Sequence, residues 1–396
     1  MDKIAEIITR RAEEIFDETL RLRRHFHMYP EISFREFETS QFISAFLESN
    51  EIEYVKNIAG TGIIAWVNGQ KGKGKVVALR AEMDALQISE KTSLDYKSKN
   101  KGLMHACGHD AHMAMLMSAI IIIKEIRSEF GGRVAFIFQP GEEMAPGGAK
   151  LMMDTQDFRK LDPDLIIAQH VLPELDAGKT GFAAGKYMAS SDEIHISILG
   201  RGGHAALSDQ NSDQVLIGSE LVMTLGEIVN EYRSDEATVL RIGRFIAAGS
   251  TNIIPEEASL QGTIRTFDEK ARASIKERVR TACRQIGDKY GVEVKLHLPD
   301  GYPVLVNSTE HVNISFELAR SINGERMVEK LGPRMSSEDF AFYSQKYPVV
   351  FYRLGVRNKS KQISPLHSPG FVIDEKAMLT GTRTLTYLGV KFTEGR

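Results

Sequence analysis

Apolar residues recur at two different spacings along this chain, and the change of spacing divides it. Over residues 2–28, Ile4, Ile7, Ile8, Ile15, Leu20 and Leu22 repeat at helical spacing, and Pro30 follows the stop. A second helix is predicted over 36–48. Strands are predicted at 62–67, 76–79, 134–138, 165–168 and 349–352. The runs at 76, 134 and 165 are almost wholly apolar, as central strands covered on both faces should be. A helix over 110–127 intervenes, with Asp110 placed as its N-cap. This order predicts a mostly parallel sheet wrapped by helices.

Residues 191–296 read differently. Glu193-Ile194-His195-Ile196-Ser197-Ile198 alternates strictly, the pattern of a sheet with one solvated face. A helix at 213–232, strands at 238–245 and 258–267, a helix at 268–289 and a short strand at 292–296 follow. The order β-α-β-β-α-β is that of a ferredoxin-like module. Because a candidate ligand, His367, lies beyond it, the module reads as an insertion. The expected organisation is α/β: one domain from 1–187 and 300–396, interrupted by an α+β domain at 188–299.

Composition works by exclusion. The 396 residues are 42% hydrophobic and 26% charged, ordinary for a globular protein and long enough for two cores. A net charge of −3 gives no basis for a nucleic-acid or anionic-membrane partner. The longest apolar run, 114–123, is too short to span a bilayer. Cys107 and Cys283 make no disulfide framework, and the first 27 residues are too charged for a signal-peptide core. A cytoplasmic protein is expected.

The chemistry gathers where the parallel strands end, the usual place for a site in an open α/β sheet. His105-Ala106-Cys107-Gly108-His109-Asp110 puts a thiol and two imidazoles within five residues, ligands suited to zinc, cobalt, nickel or manganese. The strand at 76 leads to Glu82 and Asp84, the strand at 134 to Gly141-Glu142-Glu143, and the strand at 165 to a loop bearing Gln169-His170. His367 stands on a proline-stiffened loop, Ser364-Pro365-Leu366-His367-Ser368-Pro369. Neighbouring side chains in an extended segment point apart, so one of Glu142 and Glu143 can bind metal while the other faces water. A divalent cation acidifies water, and a nearby carboxylate can accept the proton. Taken singly, Cys107 is also readable as a buried inert thiol or as half of a Cys–His nucleophilic pair; the latter would leave two carboxylates idle. His105 and His112 read as supporting residues, Cys283 and the run Met113, Met115, Met117 as packing.

At these motifs the chain resembles the metal-dependent amidohydrolase and metallopeptidase family of aminoacylases, hippurate hydrolases and indole-acetyl-amino-acid hydrolases. The similarity runs from Arg24-His25-Phe26-His27 and Pro30-Glu31 through Leu79-Arg80-Ala81-Glu82-Met83-Asp84-Ala85 and Met104-His105-Ala106-Cys107-Gly108-His109-Asp110-Ala111-His112. It continues through Gln139-Pro140-Gly141-Glu142-Glu143, Gly200-Arg201-Gly202-Gly203-His204, Asn252-Ile253-Ile254-Pro255, Gly262-Thr263-Ile264-Arg265 and Ser337-Glu338-Asp339-Phe340.

The resemblance implies two divalent metal ions (zinc, manganese, cobalt or nickel) bridged by Cys107, with His109, Glu143, His170 and His367 completing the set. It implies that Glu142 is the general base and that Asp84 orients a ligand. The inserted domain would be a lid that also carries a homodimer contact. His204 would polarise the scissile carbonyl, and Asn252 and Arg265 would lie near the substrate carboxylate. The expected reaction is hydrolysis of the amide of an N-acyl amino acid (acetyl, benzoyl or indoleacetyl), releasing a carboxylate and a free amino acid. A dipeptidase or carboxypeptidase would use the same residues. A non-catalytic acyl-amino-acid binding protein would have no need of Glu142. The chain departs from the pattern at Ser208-Asp209, where Pro-His is common, at Gln87 and Gln214, where proline is usual, and at Glu82, which replaces the commoner Asp.

Overall fold

In the computed structural model, which describes residues 2–207, 212–232, 237–358 and 364–394, the apolar runs become the centre of an eight-stranded sheet. Its order is Glu53–Ile58, Gly62–Asn68, Arg133–Gln139, Val76–Glu82, Leu165–Asp176, Val349–Arg357, Thr180–Phe182 and Val328–Lys330. The four strands from Arg133–Gln139 to Val349–Arg357 are mutually parallel. Antiparallel pairs lie toward the edges, where the strands Glu53–Ile58 and Gly62–Asn68 form a hairpin.

The helix His109–Glu125 is buried around nearly its whole circumference, between the sheet and the helices Phe16–Met28 and Ala377–Lys391. Met113, Met115 and Met117 are fully buried there, which is the packing role their spacing predicts. The chain divides into two compact units. The first comprises Met1–Gly185, Val306–Gly332 and Phe342–Arg396; the second comprises Lys186–Leu305 and Pro333–Ala341.

The second unit is built on a four-stranded antiparallel sheet ordered Val239–Ile246, Glu257–Arg265, Asp192–Leu199, Glu293–His297. With helices Gln214–Asn230 and Glu269–Tyr290 this is the ferredoxin-like arrangement. Ile194, Ile196 and Ile198 point into its core with both helices, while Glu193, His195 and Ser197 face outward. Asp268 caps the longer helix by accepting from the N–H groups of Lys270 and Ala271, and Gly291 ends it at φ 62°.

Three local expectations are corrected. The helix predicted over 2–28 is two, Lys3–Glu14 and Phe16–Met28, because Ile15 leaves helical geometry at ψ 9°. The strand expected to stop at 168 runs on to Asp176, so Gln169 and His170 sit inside a strand, opposite Tyr352 and Arg353, rather than on a loop. Asp110 does not cap its helix: Gly108 occupies the N-cap at φ 89°, and the Asp110 carboxylate turns away to accept from Arg23 and His27. A buried cation outcompetes the backbone for that carboxylate. Ser208 and Asp209 lie outside the described residues.

Candidate metal and catalytic site

Gly108 makes the first part of the site possible. Its left-handed backbone turns the chain sharply between Cys107 and His109, and a Cβ there would lie 2.5 Å from Val171 Cγ2. The turn brings Cys107, buried, to His170 on the neighbouring strand: Sγ lies 3.3 Å from Nε2. The other ring nitrogen, His170 Nδ1, lies 2.8 Å from the Val171 carbonyl, which can only accept. Nδ1 therefore carries the proton and Nε2 offers a lone pair toward the sulfur. Burial, with Arg353 nearby, holds the His170 pKa well below the ordinary value, so the ring stays neutral.

His109 is fixed in the same way. Nδ1 lies 2.8 Å from the Asp84 carbonyl oxygen and 3.3 Å from Asp84 Oδ1, which leaves Nε2 buried without a hydrogen-bond partner among the described residues. Burial disfavours charge on this ring, yet Asp84, Glu82 and Glu143 outweigh it and push the pKa up to about 10. Surroundings this negative call for a cation. Asp84 is itself pinned, because Oδ2 accepts from Ser33 Oγ at 2.7 Å and from the Glu143 N–H at 2.9 Å.

His112 has a different task. Nδ1 donates to Glu82 Oε2 at 2.8 Å and Nε2 accepts from the Val171 N–H at 3.0 Å, so neither nitrogen is open to a ligand. Against the cost of burial, Arg80 and His112 hold Glu82 well below the usual carboxylate range. His105 is buried and neutral, its pKa lowered to about 3 by burial, and neither nitrogen has a partner among the described residues.

The remaining donors arrive on two loops. Gly141, at φ 59°, ends the strand Arg133–Gln139 and starts the bend that carries Glu142 and Glu143. The two carboxylates do not diverge: each brings an oxygen within 4.8 Å of a His109 ring nitrogen, and the two oxygens are as close to each other. Glu142 is buried and Glu143 is partly exposed. Glu143 Oε1 has no hydrogen bond among the described residues and lies 3.1 Å from His367 Nε2. His367, itself at φ 59°, donates its N–H to the Ala106 carbonyl at 2.9 Å, tying its loop to the Cys107 segment.

The five sequence-predicted ligands thus fall into two overlapping groups, Cys107–His109–His170 and Cys107–Glu143–His367, each with its donor atoms within 4.8 Å of one another. The shared member is Cys107. A thiol, three imidazoles and a carboxylate whose donor atoms converge form a set that fits divalent transition ions.

His204, Asn252 and Arg265 belong to the second unit. His204 is exposed on a two-residue strand paired with Ile253–Ile254, and the Ala205 N–H donates to the Asn252 carbonyl at 3.0 Å, so these two are neighbours. Arg265 ends a separate strand and donates from Nη1 to Ser337 Oγ at 2.8 Å. Ser33, which donates to Asp84, and Arg80, which pairs with Glu82 and donates from Nε to Gln139 Oε1 at 3.0 Å, support the first unit's site without a role assigned from sequence. Arg80 and Gln139 stand within the motifs quoted above, whereas Ser33 left no signal.

Parallel sheet, interrupting antiparallel module and convergent Cys–His–Glu donors together define a metallohydrolase. The chain belongs to peptidase family M20/M25/M40, whose pattern it matches over residues 78–389. It is 37% identical over 306 residues to an N-acyl-L-amino acid amidohydrolase of Geobacillus stearothermophilus, covering 77% of this chain and 82% of that one. It is 33% identical over 396 residues to thermostable carboxypeptidase 1 of Saccharolobus solfataricus, with 98% and 99% covered. Among solved structures it is similar to the Bacillus subtilis YXEP protein, a dinuclear metal-binding peptidase of the M20 family, at 31% identity and a TM-score of 0.80, with 96% and 99% covered.

Proposed function

We propose that this protein is a metal-dependent amidohydrolase that cleaves the amide of N-acyl amino acids, releasing a carboxylate and a free amino acid. The observation that carries the proposal is the sharing of Cys107 between two donor groups with Glu142 beside them. In this reading Cys107, His109 and His170 would hold one divalent cation and Cys107, Glu143 and His367 a second. Such cations, when bound, supply Lewis acidity toward the acyl carbonyl and toward water.

The chain's own groups do the rest. Glu142 accepts the proton of the attacking water and returns it to the leaving amine. Asp84 holds His109 at Nδ1 and the Glu143 main chain at its N–H, so neither ligand is free to drift. His112 and Glu82 brace the strand that carries His170. His204 stabilises charge on the scissile carbonyl oxygen, and Asn252 and Arg265 recognise the substrate carboxylate.

Zinc, manganese, cobalt and nickel all suit the donors. Homodimerisation through 188–299 is supported by exposed apolar residues Leu216 and Met223 on the helix Gln214–Asn230 and Phe245 and Ile246 on an edge strand. Two buried cysteines that form no disulfide suit the reducing cytoplasm. Among the described residues no helix is long and apolar enough to cross a membrane.

The test is turnover of acetyl-, benzoyl- and indoleacetyl-amino acids against dipeptides and longer peptides after reconstitution with each ion. The proposal expects acyl amino acids to be preferred. Faster release of carboxyl-terminal residues from peptides would make the enzyme a carboxypeptidase instead.

A further inference from the structure

Glu36 is a fully buried carboxylate with no part in the mechanism above. Its Oε1 accepts from the N–H groups of Phe34 and Gly141, each at 2.9 Å, and its Oε2 accepts from Thr61 Oγ1 at 2.6 Å. The Gly141 bond is the informative one, because Gly141 directly precedes Glu142. On the other side of Glu142, the Glu143 N–H donates to Asp84 at 2.9 Å. Two buried carboxylates therefore hold the two amide groups that bracket the proposed base.

The surroundings are built to the same end. Phe34 adopts φ 63°, costly for an aromatic residue, and its ring lies so close to Gly141 that a Cβ there would be 2.3 Å from Phe34 Cζ. The Gly141 carbonyl accepts from the Gly148 N–H at 3.0 Å, and the Gln139 carbonyl from the Met83 N–H at 2.9 Å. The main chain from 139 to 143 is thus clamped at four points, one of them Glu36.

We infer that Glu36 is a positioning residue that, with Asp84, fixes the main chain on either side of Glu142 and so aims its carboxylate. The inference rests on the reading of Glu142 as proton acceptor. What Glu36 must supply is an acceptor for two N–H groups rather than a charge. Burial pushes its carboxyl up to about 7, with Asp84 adding to the rise and Thr61 opposing it, so a neutral group is tolerated there.

The test compares E36A, E36Q, E142Q and the double variant E36A/E142Q on an N-acyl amino acid, with metal content and folding followed alongside. E36A should lower kcat by about 10- to 100-fold, the scale of a misplacement near 1 Å, with KM and metal content within about twofold of the parent. E36Q keeps an oxygen for both N–H groups and should stay within about threefold of the parent. E36A should cost nothing further in the E142Q background, because a residue acting only through Glu142 has nothing left to aim. If E36A does not fold, E36D, which withdraws the carboxylate by one methylene, replaces it in the same cycle. Parental kcat in E36A, E36Q as slow as E36A, or an additive loss in the double variant would each overturn the inference. Parental kcat in E142Q would instead sink the reading of Glu142, whatever Glu36 does.

Discussion

Cys107 Sγ lies 3.3 Å from His170 Nε2, although one residue stands at the turn into a helix and the other in the middle of a strand. The approach depends on Gly108, whose missing side chain makes room for Val171. With Nδ1 of His170 committed to a carbonyl, the only lone pair the ring can offer points at the sulfur. The same logic orients His109, whereas both ring nitrogens of His112 are committed to Glu82 and Val171.

Glu142→Gln should remove turnover without removing metal. A general base contributes about 10²- to 10⁴-fold, so kcat should fall by at least ~100-fold while metal content by plasma emission matches the parent. Loss of metal in step with activity would make Glu142 a ligand.

His112→Leu should destabilise the protein more than its size change suggests. It leaves Glu82 Oε2 without its imidazole and the Val171 N–H without its acceptor in a fully buried setting. The cost should be about 2–5 kcal/mol in urea unfolding. A change under about 1 kcal/mol would show that neither bond matters.

Much of this arrangement was legible in the chain. Near-continuous apolar runs at 76, 134 and 165 announced parallel strands, and strict alternation at 193–198 announced the one-sided sheet. The donors were visible because Cys107-Gly108-His109 and Glu142-Glu143 are chemically conspicuous where strands end. Some features left no trace. Whether Asp110 caps a helix or pairs with Arg23 depends on a residue far away in the chain, which no local pattern reports. The strand through His170 continued past 168 because its partner Val349–Arg357 continues beside it. Ser33 precedes the helix predicted over 36–48 and Glu36 opens it among other charged residues, and their value comes entirely from what folds against them.

Glu36 also makes a pH prediction. Its folded pKa of about 7 lies above that of an ordinary carboxyl, so between roughly pH 4.5 and 7 the folded state holds a proton the unfolded chain has released. Stability from this group therefore falls as pH rises through that window. Glu36→Gln lacks the effect, so the unfolding free energy of variant minus parent should rise by about 2 to 3 kcal/mol from pH 5 to pH 8. A difference that does not change with pH would contradict the assignment.

Asp192→Ala should unfold the second unit. The buried Asp192 carboxylate accepts two 2.7 Å bonds from Arg272, with Lys276 at 3.1 Å and the Gly301 N–H at 3.0 Å. Removing it leaves Arg272 with Glu269 and Lys276 with Asp300 as their remaining carboxylate partners, both more exposed, for a cost of about 2–4 kcal/mol. Limited proteolysis should then cut within 186–305 first; a protease-resistant variant would refute the ion network's role.

The central claim is that Cys107 is shared by two cation sites, and metal stoichiometry tests it most directly. The reconstituted parent should bind about two divalent ions per chain. His367→Ala should lose one of them, and Cys107→Ala should lose both or retain them only weakly. A Cys107→Ala protein that still holds two ions with parental affinity would contradict the account.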